Sequence, residues 1–277
     1  MKFKGLRIIT NLHCNQHCKF CYQSKKDKML LSLGVLHYET RGYVNKSFEY
    51  CTIMGGESTV LPDQTLLSFI SAGVRLSKQT RLTTNGSLLT PKRMGLWHSY
   101  GLNGVNISIP AIGNLYQKIT RSKMTFEDAR QKVAAAKQVF GAENVRINVP
   151  MCAENIRGKE IEEMLWFFLH VMSVKVTLCE DLHATYSIRS NPERFGLKQI
   201  SDSGFGLVMM DFHGKDVAIY AHKDNYKNTD LIVSPVGIFH AWDGYCKAIG
   251  YKSKTLADAI IKARGVNSPP TIPITFD

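Results

Sequence analysis

The sequence predicts an α/β fold, a partial (β/α)6 barrel followed by a small C-terminal extension of β-hairpins and a helix. Three observations carry that expectation. Short apolar runs alternate with longer stretches of helical period through about residue 180. Pro62 and Pro91 stand where helices would open, and Gly55-Gly56, Asn85-Gly86 and Gly141 stand where the elements before them would stop. After Glu180 the alternation gives way to turn-rich, hairpin-like segments. Strands that alternate with helices are joined by crossovers and so lie parallel. Six such units are too few to close an eight-stranded ring. The barrel is therefore expected to stay open, with ligands approaching the C-terminal ends of its strands.

The elements follow in order. Residues 6–10 read as the first strand, and a cysteine-rich loop follows. A helical stretch covers 28–39, a second strand 50–54, and a helix opened by Pro62 runs to about 73. A third strand covers 80–84, a helix opened by Pro91 runs to about 100, and a fourth strand covers 104–109 before Pro110. The helix over 125–140 has Thr125 as N-cap, Glu127 and Asp128 in its first turn, and Gly141 at its end. A fifth strand covers 145–149, an amphipathic helix 159–171 and a sixth strand 174–179. Beyond a loop over 181–204, one hairpin is expected around His213-Gly214 and another around Gly237. A helix over 255–264 and a proline-containing tail complete the chain. Two domains are expected, the barrel over 1–180 and a substrate-covering extension over 181–277.

No run of about 18 apolar residues is present, the N-terminus lacks a signal-peptide core, and the C-terminus matches no lipidation signal. A cytoplasmic protein without a membrane partner is expected. The net charge is +12. Between Gln64 and Phe126 there is no Asp or Glu, whereas Arg75, Lys78, Arg81, Lys92, Arg93, Lys118, Arg121 and Lys123 all fall there. Such a segment favours a polyanion or a phosphorylated substrate wherever these residues share a surface. A solvated basic face is the competing reading.

Of seven cysteines, Cys14, Cys18 and Cys21 form a C-x3-C-x2-C triplet, and Cys51, Cys152, Cys179 and Cys246 are scattered. Iron–sulfur clusters usually take four thiolates, so three leave one iron without a protein ligand. An open position of that kind suits a metal site that activates a ligand. Zinc held with His13 or His17, or a disulfide with a spare thiol, are the alternatives at this point. Gly55-Gly56-Glu57 ends the second strand. Its glycines allow close backbone approach to a ligand, and its carboxylate can accept hydrogen bonds from an ammonium group.

The triplet with Phe20 before its last cysteine, Gly55-Gly56-Glu57, the stretch from Thr83 to Ser87, and the strand-borne Ser108 and Asn148 together resemble the radical S-adenosylmethionine (SAM) superfamily. The likeness covers about residues 5–180 and is strongest to the branch that holds viperin and the molybdenum-cofactor cyclase. It implies a [4Fe–4S] cluster on Cys14, Cys18 and Cys21, with SAM as the ligand of the fourth iron. One-electron cleavage of SAM would then give a 5′-deoxyadenosyl radical that takes hydrogen from a substrate. It also implies SAM-binding roles for Phe20, Gly55, Gly56, Glu57, Asn85, Ser108 and Asn148. Relatives often carry an aspartate two residues after the Ser108 position, where this chain has Pro110. Met151 and Cys179 would border the adenine. An external flavodoxin- or ferredoxin-like electron donor is implied.

The extension has Cys246 as its only cysteine, so an auxiliary cluster is not expected there. Phe239, His240, Trp242 and Tyr245 offer aromatic surface to cover the barrel or stack on a base. With the basic segment they favour a nucleotide, DNA or RNA base as substrate. A peptide or amino-acid substrate is the alternative. A non-catalytic zinc module for nucleic acid leaves Gly55-Gly56-Glu57 and the six strand–helix units without a purpose.

Overall fold

A computed structural model describes residues 3–21, 23, 28–180, 188, 191–202, 207–220 and 230–239. The expected helix over 255–264, the tail, and His240, Trp242, Tyr245 and Cys246 lie outside the described residues. Strands β1 (Gly5–Ile9), β2 (Phe48–Met54), β3 (Ser77–Thr84), β4 (Gly104–Ser108), β5 (Val145–Pro150) and β6 (Lys175–Cys179) lie side by side in chain order, all parallel. Between them run α1 (Leu33–Glu39), α2 (Asp63–Leu76), α3 (Pro91–Ser99), α4 (Gly113–Thr120), α5 (Phe126–Phe140) and α6 (Glu160–Trp166). The six expected strands are thus present in an open sheet, joined by five crossovers, of which the fourth holds both α4 and α5.

Residues beyond 180 extend that sheet at both edges. Strand β9 (Lys215–Tyr220) pairs in parallel with β6 and forms an antiparallel hairpin with β8 (Leu207–Phe212), which in turn pairs with β7 (Lys198–Asp202). At the other edge β10 (Asp230–Ser234) lies parallel to β1 and pairs with β11 (Gly237–Phe239). Eight neighbouring strands are therefore parallel, although the ring is not closed. Arg7 bridges the two ends of this run from inside. Its Nε donates to Asp230 on β10 (2.6 Å) and its Nη2 to the Tyr220 hydroxyl on β9 (2.9 Å). Tyr50 on β2 also donates to Asp230, at 2.5 Å.

Strand residues alternate between two environments. One set (Leu6, Ile8, Ile53, Leu82, Ile107 and Ile147) is fully buried in the main apolar core, which also takes in buried side chains of α2, α3 and α5. The other set is polar and lines a cavity: Thr52, Arg81, Thr83, Asn106, Ser108, Arg146, Asn148 and Thr177. A parallel barrel usually fills its interior with branched apolar side chains, so a polar lining prepares this one for a ligand.

Several boundaries differ from the sequence expectation, each for a local reason. The first helix starts at Leu33 rather than near 28, because Ser32 caps it through Gly34 N and the preceding residues pair back onto the strand end (Leu31 N to Thr10 O, 2.8 Å). Helix α4 was not foreseen; it lacks a polar N-cap, and Ile112 N at its start donates instead to the Glu160 carboxylate (2.8 Å). The helix expected over 159–171 changes to a π-helical turn over Phe167–Val171. Strand β7 falls where a loop was expected. The second hairpin turns at Pro235-Val236, and Gly237 pairs with Ser234. The Thr125 cap is present as a full capping box with Asp128.

Among the described residues no helix is long and apolar enough to cross a membrane. Gly95 sits exposed inside α3, and a Cβ there would meet nothing within 4 Å. Gly95→Ala is expected to stabilise the fold by about 0.5–1 kcal/mol, because it restricts the unfolded chain and favours helix. Urea unfolding would check this.

Candidate active site

The loop after β1 carries the three cysteines and is fastened to the β2 loop by backbone hydrogen bonds. Thr10 N donates to Met54 O (2.7 Å), Gly56 N to Asn11 O (2.8 Å) and Glu57 N to His13 O (2.7 Å). The two chains touch so closely that side chains have no room. A Cβ on Gly55 would lie 2.7 Å from Asn11 O, and one on Gly56 would lie 2.2 Å from His13 O. The glycines thus admit the chain's own cysteine loop. On its far side the loop rests on α4 through Lys19 N to Ile119 O (3.0 Å), and Phe20 packs with Ala111, Ile119 and Cys152.

Cys14, Cys18 and Cys21 are each partly exposed and all line the cavity. Cys14 Sγ accepts from Gln16 N (3.4 Å) and Asn85 Nδ2 (3.8 Å), and the Cys18 thiol faces Gln16 Oε1 at 3.4 Å. Hydrogen bonds to sulfur are one lever on the potential of a cluster. Among the described residues no three thiol, imidazole or carboxylate groups converge enough to hold a single metal ion. A zinc ion demands such convergence, with thiolates about 2.3 Å from one centre.

Glu57 is 2% exposed and heavily engaged. Its Oε1 accepts from Thr59 N (3.1 Å), Thr59 Oγ1 (2.6 Å) and Thr84 Oγ1 (2.7 Å), and its Oε2 accepts from Asn85 N (2.6 Å). This carboxylate clamps the ends of β2 and β3 together, and Oε2 keeps lone-pair capacity for a ligand. Asn85 extends the clamp to the cysteine loop through Nδ2 to Asn15 Oδ1 (2.9 Å).

Ser108, Asn148 and Thr177 stand in register on β4, β5 and β6 and line the same cavity. Thr177 is 6% exposed, and its buried Oγ1 has no hydrogen-bond partner among the described residues. Buried hydroxyls are rarely left so, and a ligand in the cavity would satisfy it. Sequence reading missed Thr177. Its signal is the alternation along β6, which places Lys175, Thr177 and Cys179 on one face.

Two guanidiniums also enter the cavity. Arg81 is anchored by Nε to Asn106 Oδ1 (3.1 Å) and Nη2 to Asn144 O (2.6 Å). Burial and the Arg146 charge hold its pKa down to about 10, and burial lowers that of Arg146 as well. Both remain cationic at neutral pH, and neither has an ion-pair partner among the described residues. Of the eight basic residues in the acid-free segment, only Arg81 lines the cavity. Arg93 is bound to Asp63 and Lys78 to Glu49, and Arg75, Lys92, Lys118, Arg121 and Lys123 are exposed. The segment therefore divides between interior and exterior and does not form one face.

All ten residues singled out in the sequence line one cavity of about 660 Å³, together with Pro110, Met151, Cys179 and Glu180. The remaining described thiols differ from the triplet. Burial pushes Cys152 up to about 11 and Cys179 up to about 12, and raises Cys51 further. In metal-free protein at pH 8, limiting iodoacetamide is expected to alkylate Cys14, Cys18 and Cys21 well before Cys51, Cys152 and Cys179, because thiolate and access govern the rate. Peptide mass spectrometry would read the order.

An open parallel barrel with a three-thiol loop at the C-terminal end of its first strand defines a class of cluster-dependent enzymes. The chain belongs to the radical SAM superfamily, whose family model matches residues 8–165, and it is a radical SAM enzyme with a [4Fe–4S] cluster and SAM as cofactors. GTP 3′,8-cyclase of Vibrio vulnificus (strain YJ016) is 26% identical over 176 residues, which cover 61% of this chain and 52% of that protein. GTP 3′,8-cyclase of Pasteurella multocida (strain Pm70) is 28% identical over 153 residues, 53% of this chain and 44% of the cyclase. The chain spans about half the length of these curated relatives. Among solved structures, Streptococcus suis SuiB has a TM-score of 0.64 at 13% identity and covers 92% of this chain and 65% of its own. The protein anSMEcpe with bound AdoMet and Kp18Cys peptide has a TM-score of 0.54 at 15% identity and covers 66% and 52%. These structural likenesses establish the fold.

Proposed function

We propose that this enzyme acts on a nucleotide, with its phosphates on Arg81 and Arg146 and its reacting sugar or base facing the cysteine loop. The paired guanidiniums carry the reading. Two half-buried, neighbouring cations, neither in an ion pair with a carboxylate among the described residues, suit an anionic ligand, and phosphate oxygens match the guanidinium fork. Lys175 lines the same cavity beside Arg146 in register. The cyclases named above act, by name, on GTP, which agrees with this choice. A peptide substrate has the fold likeness in its favour and would meet the two cations only through its carboxylates.

Cys14, Cys18 and Cys21 would hold the cluster, and the Gly55–Glu57 backbone, Ser108 and Asn148 would hold SAM. When bound, the two cofactors supply one-electron cleavage of SAM to a carbon radical. The chain's own residues fix the rest of the geometry. Glu57 and Asn85 lock the loops, Thr177 hydrogen-bonds the ligand, and Arg81 and Arg146 set how deep an anionic tail reaches.

Equilibrium dialysis of GTP and guanosine tests the proposal. GTP is expected to bind at least tenfold more tightly than guanosine, and Arg146→Gln to remove most of that difference, as loss of a charge-assisted phosphate contact of roughly 1.5–3 kcal/mol requires. Equal binding of GTP and guanosine to the unaltered protein would overturn it.

A further inference from the structure

Strand β6 turns one face to the cavity and puts Lys175, Thr177 and Cys179 on it. Cys179 is the last residue of the strand, at the end of the barrel that carries the cysteine loop and Glu57. Its backbone is held on both sides. Pro150 on β5 and Tyr220 on β9 flank it in register, and its carbonyl accepts from Met151 N at 2.8 Å. The side chain is half-buried and lines the cavity. Thr177, two residues earlier on the same face, is 6% exposed, and its buried Oγ1 has no hydrogen-bond partner among the described residues. Such a hydroxyl marks the wall beside Cys179 as one that meets a ligand.

Other groups that could give up a hydrogen atom are less well placed. Cys51 borders the cavity, but it is fully buried and its sulfur lies against α2, 3.1 Å from where a Cβ on Gly73 would stand. Cys152 packs with Phe20, Ala111 and Ile119. Tyr50 and Tyr220 line the cavity with their hydroxyls tied into the Arg7–Asp230 bridge, Tyr50 as donor to Asp230 and Tyr220 as acceptor from Arg7.

We infer that Cys179 ends the radical reaction by returning a hydrogen atom from its Sγ to the substrate radical. The S–H bond breaks homolytically, a C–H bond forms on the substrate, and a sulfur-centred radical is left on Cys179. One electron from a one-electron reductant and one proton from water restore the thiol. An S–H bond is weaker than an aliphatic C–H bond, so the transfer to a carbon radical runs downhill. It needs the thiol, since a thiolate carries no hydrogen. Burial outweighs the opposing Arg146 and Arg7 charges and raises Cys179 to about 12, which keeps it protonated at neutral pH. SAM is then consumed in each turnover, because no hydrogen returns to 5′-deoxyadenosine. The inference rests on SAM cleavage at the Cys14, Cys18 and Cys21 site and is independent of the nucleotide reading.

The test uses the reconstituted holoenzyme with SAM and dithionite in deuterium oxide, where S–H exchanges to S–D and carbon-bound hydrogens do not. With no substrate added, the Cys179 thiol is the donor that the 5′-deoxyadenosyl radical meets across the substrate space. Mass spectrometry reads the fraction of 5′-deoxyadenosine that carries one deuterium, a ratio independent of rate. That fraction is expected to fall roughly fivefold or more in Cys179→Ala and in Cys179→Ser, whose O–H bond is too strong to yield hydrogen. Cys152→Ala is expected to keep the fraction of the unaltered enzyme. In a second arm GTP is added, and its product is expected to gain one carbon-bound solvent deuterium that Cys179→Ser fails to deliver.

The inference is overturned by an unchanged deuterium fraction in both Cys179 variants, by an equal loss in Cys152→Ala, or by unaltered enzyme whose 5′-deoxyadenosine carries no deuterium. Loss of deuterium in Tyr220→Phe alone would overturn it in favour of Tyr220. Deuterium transfer that depends on Cys179, without any product from GTP, would uphold the inference and strike the nucleotide reading, so the two ideas fail separately. Absence of 5′-deoxyadenosine altogether would overturn the inference together with the cluster assignment.

Discussion

Gly56→Ala is expected to produce a folded protein that no longer assembles its cluster. The added methyl group would stand 2.2 Å from His13 O and 2.6 Å from Leu12 O, both backbone atoms with no rotamer to escape into. Either the cysteine loop or the β2 loop must move. Moving them breaks Gly56 N to Asn11 O and Glu57 N to His13 O, the two bonds that set the start of the triplet. The barrel core lies elsewhere, in side chains such as Ile53, Leu82 and Ile107, so the secondary structure should survive. Iron content after anaerobic reconstitution is expected to fall below about one tenth of the unaltered protein, with a far-ultraviolet dichroism spectrum close to normal. Normal iron loading would show that the loops separate without consequence.

Glu57→Gln is the second large effect. The substitution conserves shape and still disrupts the site, because a carboxylate accepts at both oxygens and an amide nitrogen accepts at neither orientation. If the amide nitrogen replaces Oε1, three donors from Thr59 and Thr84 lose their acceptor; if it replaces Oε2, it faces the Asn85 N–H. Buried donors left unsatisfied cost about 1–3 kcal/mol each when no water replaces the partner. A loss of about 2–4 kcal/mol is therefore expected by urea unfolding, together with weaker SAM binding as the ends of β2 and β3 separate. A change below about 0.5 kcal/mol, with SAM affinity intact, would show that the clamp does not set the loops.

What could be read in the sequence follows from how local each signal is. Cys14, Cys18 and Cys21 share one short loop, and Gly55-Gly56-Glu57 are consecutive, so chemistry and spacing stand together on the page. The six strands were legible from their apolar periodicity, and Thr125 with Asp128 announced a capping box that is present. Thr177 was not legible as a site, because strand register brings it beside Asn148, whereas Arg146 shares a face of β5 with Asn148 by alternation that was not followed up. The bridge from Arg7 to Asp230 and Tyr220 spans more than 200 residues of chain, and no local pattern encodes it. Helix α4 escaped because its start is satisfied by Glu160 from another element rather than by a neighbouring Ser or Asp. The glycines serve one contact that the sequence did not show, close approach to the chain itself, which calls for the same residue as close approach to a ligand.

The most direct test of the account is anaerobic reconstitution with iron and sulfide, followed by incubation with SAM and dithionite. A brown protein with about four irons per chain that releases 5′-deoxyadenosine is expected, and Cys18→Ala should abolish the release. A colourless protein holding one zinc per chain, or undiminished 5′-deoxyadenosine from Cys18→Ala, would contradict the assignment of the three-thiol loop as the cluster site.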